Sequence, residues 1–488
     1  MTRQIRRLGL AMIVLYGALF VQLNVVQVLR ADDYNRNPSN IRAVTRDYGR
    51  PRGQIVSADG TVLARSLPDD SNFKRRREYP EHELFGHVTG YFSFTFGSDG
   101  VEKTYNDELA GRSGAGSVDN FVDLLTDEEH TNDVVLTLDK TVQQVARDAL
   151  GERQGSVVAI DTRDGSLLAL WSYPSYDPEP LSQTDQDKAR EARGYKLLDP
   201  AKPLLARSFR ETYFPGSTFK VVTAAAGLTS GKVTPEQPVY PRAREFLPPT
   251  TTRPIRNFGG STCGGNLLDI MRISCNVSFA RMGMDVGAVG LVGQARAFGF
   301  GESPPLDLPR PAMSSIEDPS FFEQNLPLLA QTAIGQNTVR ATPLQMALVA
   351  AGIANNGVVP APHVLKEVRD DEGNVVRRHR PEAWRTAVTP EVAATVRDTM
   401  VAVVAQGSAR RLAVPGVPTA GKTGTAQIGN GRSHTWIIGF APSDAPRVAI
   451  AVIVESQSGA SESTGGRVAA PIGQRVLEAA LNAVPATP

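Results

Sequence analysis

The stretch "PGSTFKVVTAAAGLTSG" at residues 215–231 predicts an apolar, buried helix that opens with a serine and a lysine. Ser217 and Lys220 are three positions apart, so they lie on one face of that helix, one turn from each other. Pro215 and Gly216 predict a sharp bend before the helix, and the glycine that closes the stretch predicts its end.

A serine and a lysine in this arrangement suit nucleophilic catalysis. A serine hydroxyl is a poor nucleophile until a neighbouring base takes its proton. Burial lowers the pKa of a lysine because desolvation disfavours the ammonium form, so Lys220 could be that base. The first turn of the helix also offers unpaired N–H groups and positive potential to an oxyanion. We therefore predict that Ser217 is a nucleophile and Lys220 its general base.

The serine–x–x–lysine spacing alone is weak evidence, because about one chance match is expected in a chain of this length. Ser71 and Lys74 form such a match in a polar stretch with no apolar helix behind it. We interpret that match as accidental, and we interpret the basic cluster "FKRRREYP" at 73–80 as a solvated loop. Taken alone, Ser217 could likewise be a helix N-cap and Lys220 a surface residue.

Two further motifs strengthen the catalytic interpretation. The stretch "ISCNVSFA" at 273–280 holds Ser274 and Asn276, which form the only S-x-N of the sequence. The only K-T-G follows in "GKTGTAQ" at 421–427, where it begins at Lys422. A serine–lysine pair, S-x-N and K-T-G, in this order, match the signature of penicillin-recognising acyl-serine enzymes.

Each residue of these motifs has a predicted task. Ser274 relays a proton between Lys220 and the leaving amine of the substrate. Asn276 hydrogen-bonds both Lys220 and the substrate amide. Lys422 supplies a cation for the terminal carboxylate of the substrate.

The residues after Lys422 have backbone tasks in this interpretation. Gly424 lets an edge strand come close to the substrate backbone, because glycine has no side chain in the way. The N–H group of Thr425, together with that of Ser217, forms an oxyanion hole.

The same region fits a competing motif. The stretch "GVPTAGKT" at 416–423 matches the phosphate-binding loop pattern G-x-x-x-x-G-K-[ST]. That loop needs a buried strand before it and a helix after it, but the following "GTAQIGNGRSHTW" is rich in glycine and predicts no helix. The nucleotide-binding alternative is therefore disfavoured.

The bulk composition excludes several classes of protein. The chain of 488 residues is long enough for two or three domains, and its charges nearly cancel at a net +1. No polyanionic partner is implied, so nucleic acid is not an expected ligand. Two cysteines are too few for a disulfide framework, and the six histidines pair with no cysteines at ligand spacing. We predict neither a metal site nor a cofactor.

The N-terminus predicts a membrane anchor. Arg3, Arg6 and Arg7 precede an almost wholly apolar run from Leu8 to Leu29. A helix of this length spans a bilayer core of about 30 Å. The arginines should stay in the cytoplasm, which places the rest of the chain outside the cell membrane. A cleaved signal peptide is the alternative, and it is disfavoured because no A-x-A-like site follows the run.

The order of elements predicts an α+β fold. We divide the chain into a cytoplasmic tip and transmembrane anchor (1–30), an N-terminal pedestal (31–150) and a catalytic domain (151–488). The first strands of the catalytic domain can pair beside its last ones, with helices on both faces of the sheet. Four local elements support this division: hairpins at 50–66 and 155–172, a strand and helix at 133–150, and a closing helix at 469–484. The stretch at 456–466 predicts a mobile loop.

With these three motifs in this order, the chain resembles the class B penicillin-binding proteins, which are monofunctional peptidoglycan D,D-transpeptidases. The resemblance covers nearly the whole chain. It rests on five stretches: "GRPRGQIVSADGTVLARS" (49–66), "GSVVAIDTRDGSLLALWSYPSYDP" (155–178), "PLLARSFRETYFPGSTFK" (203–220), "AIGQNTVRATPLQMALVAAGIANNG" (333–357) and "KTGTAQIGNGRSHTWIIGFAP" (422–442).

The resemblance implies a fold and a substrate. The fold would be an elongated, mostly-β pedestal of the dimerisation type, then a domain with a five-stranded antiparallel sheet flanked by helices and an all-helical subdomain. The substrate would be the D-Ala-D-Ala end of a peptidoglycan stem peptide on nascent, lipid-linked glycan. The enzyme would act in cell-wall synthesis during growth or division, beside a polytopic membrane glycosyltransferase and other divisome or elongasome proteins.

The resemblance also implies roles for individual residues. Ser217 would be the acylated nucleophile, which β-lactams would also acylate, and Lys220 the general base. Ser274 and Asn276 would be the proton-relay and amide-binding pair. The substrate carboxylate would be bound by Lys422, Thr423 and Thr425.

The middle residue of the S-x-N motif departs from the usual pattern, because it is a cysteine. Cys275 has a possible partner in Cys263, twelve residues earlier, and the compartment outside the membrane can be oxidising. We hypothesise a disulfide that braces the Ser274 loop. The alternative is two reduced, buried thiols.

Two other functions share parts of this sequence pattern. A serine β-lactamase of the kind with a deacylating glutamate carries E-x-x-x-N between the second and third motifs, and no glutamate from 277 to 421 has an asparagine four residues later. A membrane-bound β-lactam sensor would need further spans or a cytoplasmic signalling domain, and only seven residues precede the apolar run. Both alternatives are disfavoured against the transpeptidase.

Overall fold

The computed structural model of the protein describes residues 2–26, 48–112, 130–429, 431–458 and 465–484. Its β-strands are, in chain order, β1 (Ile55–Val56), β2 (Val62–Pro68), β3 (Arg75–Glu78), β4 (Phe92–Ser93), β5 (Gly97–Ser98), β6 (Asp133–Leu136), β7 (Gly155–Asp161), β8 (Leu167–Tyr173), β9 (Tyr240–Ala243), β10 (Glu245–Phe246), β11 (Ile255–Arg256), β12 (Cys263–Gly265), β13 (Val358–Pro360), β14 (Leu365–Arg369), β15 (Val375–Arg378), β16 (Ala383–Thr386), β17 (Ala420–Gly429), β18 (Arg432–Ala441) and β19 (Val448–Ser458).

The α-helices of five residues or more are α1 (Thr2–Asn24), α2 (Gly100–Thr104), α3 (Lys140–Leu150), α4 (Gln186–Leu198), α5 (Lys220–Thr229), α6 (Leu267–Arg272), α7 (Asn276–Ala297), α8 (Pro319–Glu323), α9 (Leu326–Thr332), α10 (Pro343–Ala354), α11 (Pro390–Gln406) and α12 (Ala470–Ala483). Shorter helical turns lie at His82–Leu84, Gly86–Thr89, Asn106–Leu109, Glu179–Ser182, Arg207–Arg210, Gly216–Phe219, Phe258–Gly260 and Arg410–Leu412, and a π-helical turn lies at Gly465–Ala469.

Helix α1 is the apolar N-terminal helix that the sequence predicts. It runs for 23 residues, and its apolar side chains are exposed rather than packed on the rest of the protein. At 1.5 Å per residue it is about 34 Å long, which matches the hydrocarbon core of a bilayer. Among the described residues it is the one helix long and apolar enough to cross a membrane. The last part of the predicted run, residues 27–29, lies outside the described residues.

A six-stranded sheet forms in the N-terminal region, with the order β15-β14-β6-β1-β2-β3. The predicted hairpin at 50–66 is confirmed, because β1 and β2 pair antiparallel around a turn in which Gly60 has φ +86°. Strands β14 and β15 come from the region 365–378, far along the chain. The sheet therefore contains strands from both sides of the predicted domain boundary at residue 150.

The prediction of a solvated loop at 73–80 is wrong. Strand β3 pairs with β2, and Arg77 points inward, where it is 3 % exposed. Its Nε lies 2.6 Å from Glu102 Oε1, while Arg52 Nε lies 2.6 Å from Glu102 Oε2. Successive side chains of a strand point to opposite faces, so a run of arginines places some of them in the core. There they need a buried carboxylate as a partner.

Glu102 is held in its charged form by this contact. Its burial would raise the pKa of the carboxyl group, but the guanidinium groups of Arg77 and Arg52 outweigh burial and lower that pKa below its usual value. A carboxyl group whose pKa is lower in the folded than in the unfolded state stabilises the fold at pH values above its unfolded-state pKa. That stability is lost as the pH falls through the folded-state value.

We expect Glu102→Gln to destabilise the protein by about 3–5 kcal/mol, because it leaves two buried guanidinium groups without their counter-charge. Thermal unfolding of the full chain in detergent, followed over a pH series, measures this. The variant should also lose the part of the acid dependence that Glu102 causes. Glu78→Gln is the matched control, because Glu78 pairs with the half-exposed Arg65. This substitution should lower the free energy of unfolding by less than about 1 kcal/mol. Equal losses in the two variants would contradict the account.

The catalytic region is built on a five-stranded antiparallel sheet with the order β17-β18-β19-β7-β8. The predicted hairpin at 155–172 is confirmed as β7 and β8, and β7 pairs with β19, so the first strands lie beside the last. Helices α3 and α12 pack together against the sheet, and α10, all of whose residues are buried, packs on it as well. Strand β17 is an edge strand, which leaves one side of it open to the cleft.

The predicted mobile loop at 456–466 begins within a strand, because β19 continues to Ser458. Residues 459–464, the centre of the predicted loop, lie outside the described residues.

Candidate active site

The turn that carries Ser217 is a short 3₁₀ segment, Gly216–Phe219, which continues into α5 at Lys220. Gly216 has φ +55°, a conformation that favours glycine, and its N–H donates to the backbone oxygen of Gly335 at 2.8 Å. A Cβ at Gly216 would lie 2.6 Å from the backbone oxygen of Thr425. The sharp bend predicted before the helix is therefore present, and it packs directly on β17.

The chain that leads into this turn is fixed to the central sheet. Trp436 on β18 donates from Nε1 to the backbone oxygen of Phe214 at 3.1 Å. Tyr213 donates from its hydroxyl to Glu455 Oε1 on β19 at 2.7 Å. These two contacts hold the approach to Ser217 against the two strands next to the edge strand. Ser217 itself is 4 % exposed.

Lys220 connects the first motif to the second. Its Nζ donates to the backbone oxygen of Ser274 at 2.8 Å, to Ser274 Oγ at 3.1 Å and to Asn276 Oδ1 at 2.6 Å. The side chain is fully buried. The predicted contact between Lys220 and Asn276 is thus present in the structure.

Lys422 connects the third motif to the same hydroxyl. Its Nζ donates to Ser274 Oγ at 2.7 Å and to the backbone oxygen of Thr423 at 3.0 Å. Ser274 Oγ therefore lies between the amine nitrogens of Lys220 and Lys422. A hydroxyl can both accept and donate, so this arrangement can pass a proton from one side to the other.

The backbone at Ser274 is unusual, and the sequence did not predict it. Ser274 has φ +59°, a left-handed conformation that is uncommon for a residue with a side chain. The bend follows the end of α6: the N–H of Ser274 donates to Met271 O at 3.1 Å and that of Cys275 donates to Ile270 O at 2.8 Å. Strained residues of this kind concentrate at functional sites. Here the bend directs both the hydroxyl and the carbonyl of Ser274 toward Lys220.

A segment at 240–265 packs on the second motif. Cys263 on β12 and Cys275 are joined by a disulfide, with a Cα–Cα distance of 5.9 Å. Asn257 adds a polar link, because the N–H of Val277 donates to Asn257 Oδ1 at 3.0 Å. Asn276 Nδ2 donates to the backbone oxygen of Arg256 at 3.1 Å. The segment therefore holds the start of α7, which begins at Asn276.

The third motif lies in β17, which runs from Ala420 to Gly429. The nucleotide-binding alternative is wrong, because a phosphate-binding loop must be followed by a helix and here the K-T-G sequence is itself part of a strand. Gly424 is also needed for packing within the protein. A Cβ there would lie 2.9 Å from Pro215 O and 2.9 Å from Thr218 Cγ2, so the glycine makes room for the turn that carries Ser217.

The two threonines of the third motif point to different places. Thr423 Oγ1 shares a hydrogen bond of 2.6 Å with Ser408 Oγ, which follows α11. Thr425 lines the cleft together with Ser217. Of the two threonines, Thr425 is therefore the one that lines this cleft.

A cleft of about 590 Å³ opens at Ser217, Asn276 and Thr425. Its size is typical of sites for small ligands. Its walls include residues that the sequence analysis did not find: Arg256, Phe258, Gln331, Gln336 and Gln427. No local motif marks them, because only the packing of distant segments places them at the cleft. Over the described residues, no group of three or more His, Cys, Asp or Glu side chains could hold a metal ion.

This combination of fold and cleft defines the class of the protein, an acyl-serine enzyme of the kind that recognises penicillin. The family model of the penicillin-binding protein transpeptidase domain matches residues 155–478. The model of the penicillin-binding protein A dimerisation domain matches residues 52–135. The chain belongs to the class B penicillin-binding proteins and is a serine-type transpeptidase, as the resemblance in the sequence predicted.

The sequence also resembles actinobacterial penicillin-binding protein A in particular, and mycobacterial relatives bear this out. Peptidoglycan D,D-transpeptidase PbpA of Mycolicibacterium smegmatis is 38 % identical over 497 residues, covering 99 % of both chains. The protein of the same name from Mycobacterium tuberculosis is 36 % identical over 502 residues, covering 99 % of this chain and 100 % of the relative.

Solved structures of the Mycobacterium tuberculosis penicillin-binding protein A match this fold. Its imipenem acyl-enzyme complex has a TM-score of 0.82 at 36 % identity and covers 89 % of this chain and 100 % of its own. Its penicillin G acyl-enzyme complex has a TM-score of 0.81 at 35 % identity, with 88 % and 100 % covered. In this relative, therefore, imipenem and penicillin G form covalent acyl-enzyme complexes.

Proposed function

We propose that this protein is a peptidoglycan D,D-transpeptidase in which Ser217 carries the acyl group, and that β-lactams acylate the same serine. The observation that carries the proposal is the position of Ser274 Oγ, 3.1 Å from Lys220 Nζ and 2.7 Å from Lys422 Nζ. All three motifs thereby meet at one cleft, which Ser217 lines.

The first step forms the acyl-enzyme. Ser217 Oγ attacks the carbonyl carbon between the two D-alanines, and its proton passes to Lys220. The backbone N–H groups of Ser217 and Thr425 stabilise the oxyanion that develops on the carbonyl oxygen. The packing of the Gly216 turn on the backbone of Thr425 supports this pairing, because it fixes the two residues relative to each other.

The next step releases the terminal D-alanine. The peptide bond breaks, the acyl group stays on Ser217 as an ester, and the leaving amine takes a proton through Ser274. Lys422, with Thr425, binds the carboxylate of the same D-alanine, which places that amine near Ser274. Asn276 Oδ1 is engaged by Lys220, and its amide group has two hydrogens, so one remains for the substrate amide after the bond to Arg256 O.

The last step transfers the acyl group. The amine of a second stem peptide attacks the ester carbonyl, the bond to Ser217 Oγ breaks, and the hydroxyl regains its proton. The products are a new peptide cross-link and the free enzyme. A β-lactam follows only the first step: its amide bond opens, and the leaving nitrogen stays attached to the acyl group.

The proposal includes the arrangement of the chain at the membrane. Residues 1–30 would form the cytoplasmic tip and anchor, 31–150 a pedestal, and 151–488 the catalytic domain outside the membrane. The apolar helix α1, the arginines in its first two turns and the separate family matches support this division. Partners would be a polytopic membrane glycosyltransferase and other proteins of the growth or division machinery, as the resemblance to the class B penicillin-binding proteins implies.

The lifetime of the acyl-enzyme separates this function from a β-lactamase. We expect a fluorescent penicillin to label the full chain in detergent and the labelled band to persist for many minutes after excess unlabelled penicillin is added, because no E-x-x-x-N motif lies between the second and third motifs to supply a deacylating glutamate. The measurement is band intensity against time on a denaturing gel. Rapid loss of the band, with catalytic hydrolysis of the penicillin, would favour the β-lactamase instead.

A further inference from the structure

We propose that Arg256 makes the cleft selective for acyl donors that carry a second carboxylate beside the amide bound by Asn276. The inference rests on the proposed function, because it assigns that amide to Asn276. It specifies the class of acyl donor: a molecule with one carboxylate that Lys422 binds and a second carboxylate that Arg256 binds.

Arg256 is the charged residue of the cleft wall. Among the described residues that line the cavity, it is the only one with a formal charge. Its Nε lies 3.1 Å from Glu245 Oε2, and the two side chains are 69 % and 55 % exposed. An ion pair as exposed as this is weak, so the guanidinium group can exchange Glu245 for the carboxylate of a ligand.

The backbone of Arg256 is held in place although its side chain is exposed. Ile255 before it is buried beside Ala280, and Asn257 after it donates from Nδ2 to the backbone oxygen of Ala243 at 2.7 Å. Asn276 Nδ2 donates to the backbone oxygen of Arg256. Arg256 is therefore positioned by the same amide group that is proposed to bind the substrate.

This placement determines which part of a donor the guanidinium meets. A donor amide held by Asn276 brings the carbon next to that amide close to Arg256. A carboxylate on this carbon can accept two parallel hydrogen bonds from a guanidinium group, the geometry that arginine provides and lysine does not. Lys422, on β17, remains for the other carboxylate.

Two penicillins test the proposal, because benzylpenicillin and α-carboxybenzylpenicillin differ by one carboxylate on the carbon next to the side-chain amide. The quantity measured is the ratio of their second-order rate constants for acylation of the full chain in detergent. Arg256→Gln should lower the ratio of the carboxylated to the plain compound by roughly three- to tenfold. Glu245→Gln should raise it, because it removes the competing carboxylate.

Arg253→Gln is the matched control, since Arg253 is exposed on the same segment but does not line the cleft. It should leave the ratio as in the unmodified protein. An unchanged ratio in Arg256→Gln would overturn the proposal, and so would an equal fall in both arginine variants, which would indicate only long-range charge. Failure of benzylpenicillin to acylate the unmodified chain would instead contradict the proposed function.

Discussion

Replacing Ser217 with alanine should abolish covalent binding of penicillin to the full chain. Alanine has no oxygen with which to form the ester. The apparent rate constant of acylation should fall by at least roughly 10⁴-fold, the scale seen when a catalytic nucleophile is removed. Labelling with a fluorescent penicillin over a range of concentrations and times measures it.

Ser71→Ala is the control for this experiment. Ser71 and Lys74 have the same spacing as the catalytic pair, but Ser71 lies in a turn where its Oγ accepts from the N–H of Phe73 at 3.3 Å. Its removal should leave labelling unchanged. Labelling that persists in Ser217→Ala, or that disappears in Ser71→Ala while the protein remains folded, would contradict the assignment.

Replacing Lys220 with methionine should give the second large effect. Methionine keeps an apolar chain of similar length in the buried site but can neither accept the proton of Ser217 nor donate to Ser274 and Asn276. Loss of a general base costs about 10²–10⁴-fold in rate. Stopped-flow or gel-based acylation kinetics with benzylpenicillin should therefore show a fall of this size.

A second variant separates proton transfer from simple charge. Lys220→Arg keeps a cation but has no accessible neutral form, so it should be as slow as the methionine variant. Thermal unfolding checks that both proteins are folded, and Lys74→Met should acylate normally. Near-normal acylation by Lys220→Arg would mean that Lys220 acts only as a cation, and the proposed base would have to be found elsewhere.

Local sequence patterns predicted the parts of the fold that depend on near neighbours. The hairpins of β1 with β2 and of β7 with β8 follow from alternating apolar residues around Asp-Gly turns, and both are confirmed. The apolar helix before the pedestal follows from composition alone. The order of the three motifs predicted that Ser217, Lys220 and Ser274 belong together, because each has a task in one reaction.

Local sequence patterns could not predict contacts between segments that are distant in the chain. Arg77 was predicted to be solvated, but Glu102, its buried partner, is 25 residues away and marked by no motif. Strands β14 and β15 join the N-terminal sheet from residues 365–378, far along the chain. A run of charged residues or a short strand has the same local sequence pattern whether it is buried or exposed. Only the tertiary packing determines which of the two it is.

In the cleft, too, the features set by local sequence were predicted and those set by contacts between distant segments were not. The motifs identified the reacting groups, but the left-handed backbone of Ser274 depends on how α6 ends and α7 begins. The sequence did not show that Gly424 also makes room for the Pro215 turn, because that contact joins segments far apart in the chain. Arg256 reaches the cleft only because the segment at 240–265 folds back onto Asn276.

Locating the acylated residue tests the central claim most directly. The full chain would be treated with benzylpenicillin, digested, and its peptides analysed by tandem mass spectrometry. The account predicts a mass increase of one penicillin molecule on the peptide that contains Ser217, with fragment ions placing it on that residue. An adduct on Ser71 or Ser274, or no adduct on a folded protein, would contradict the claim.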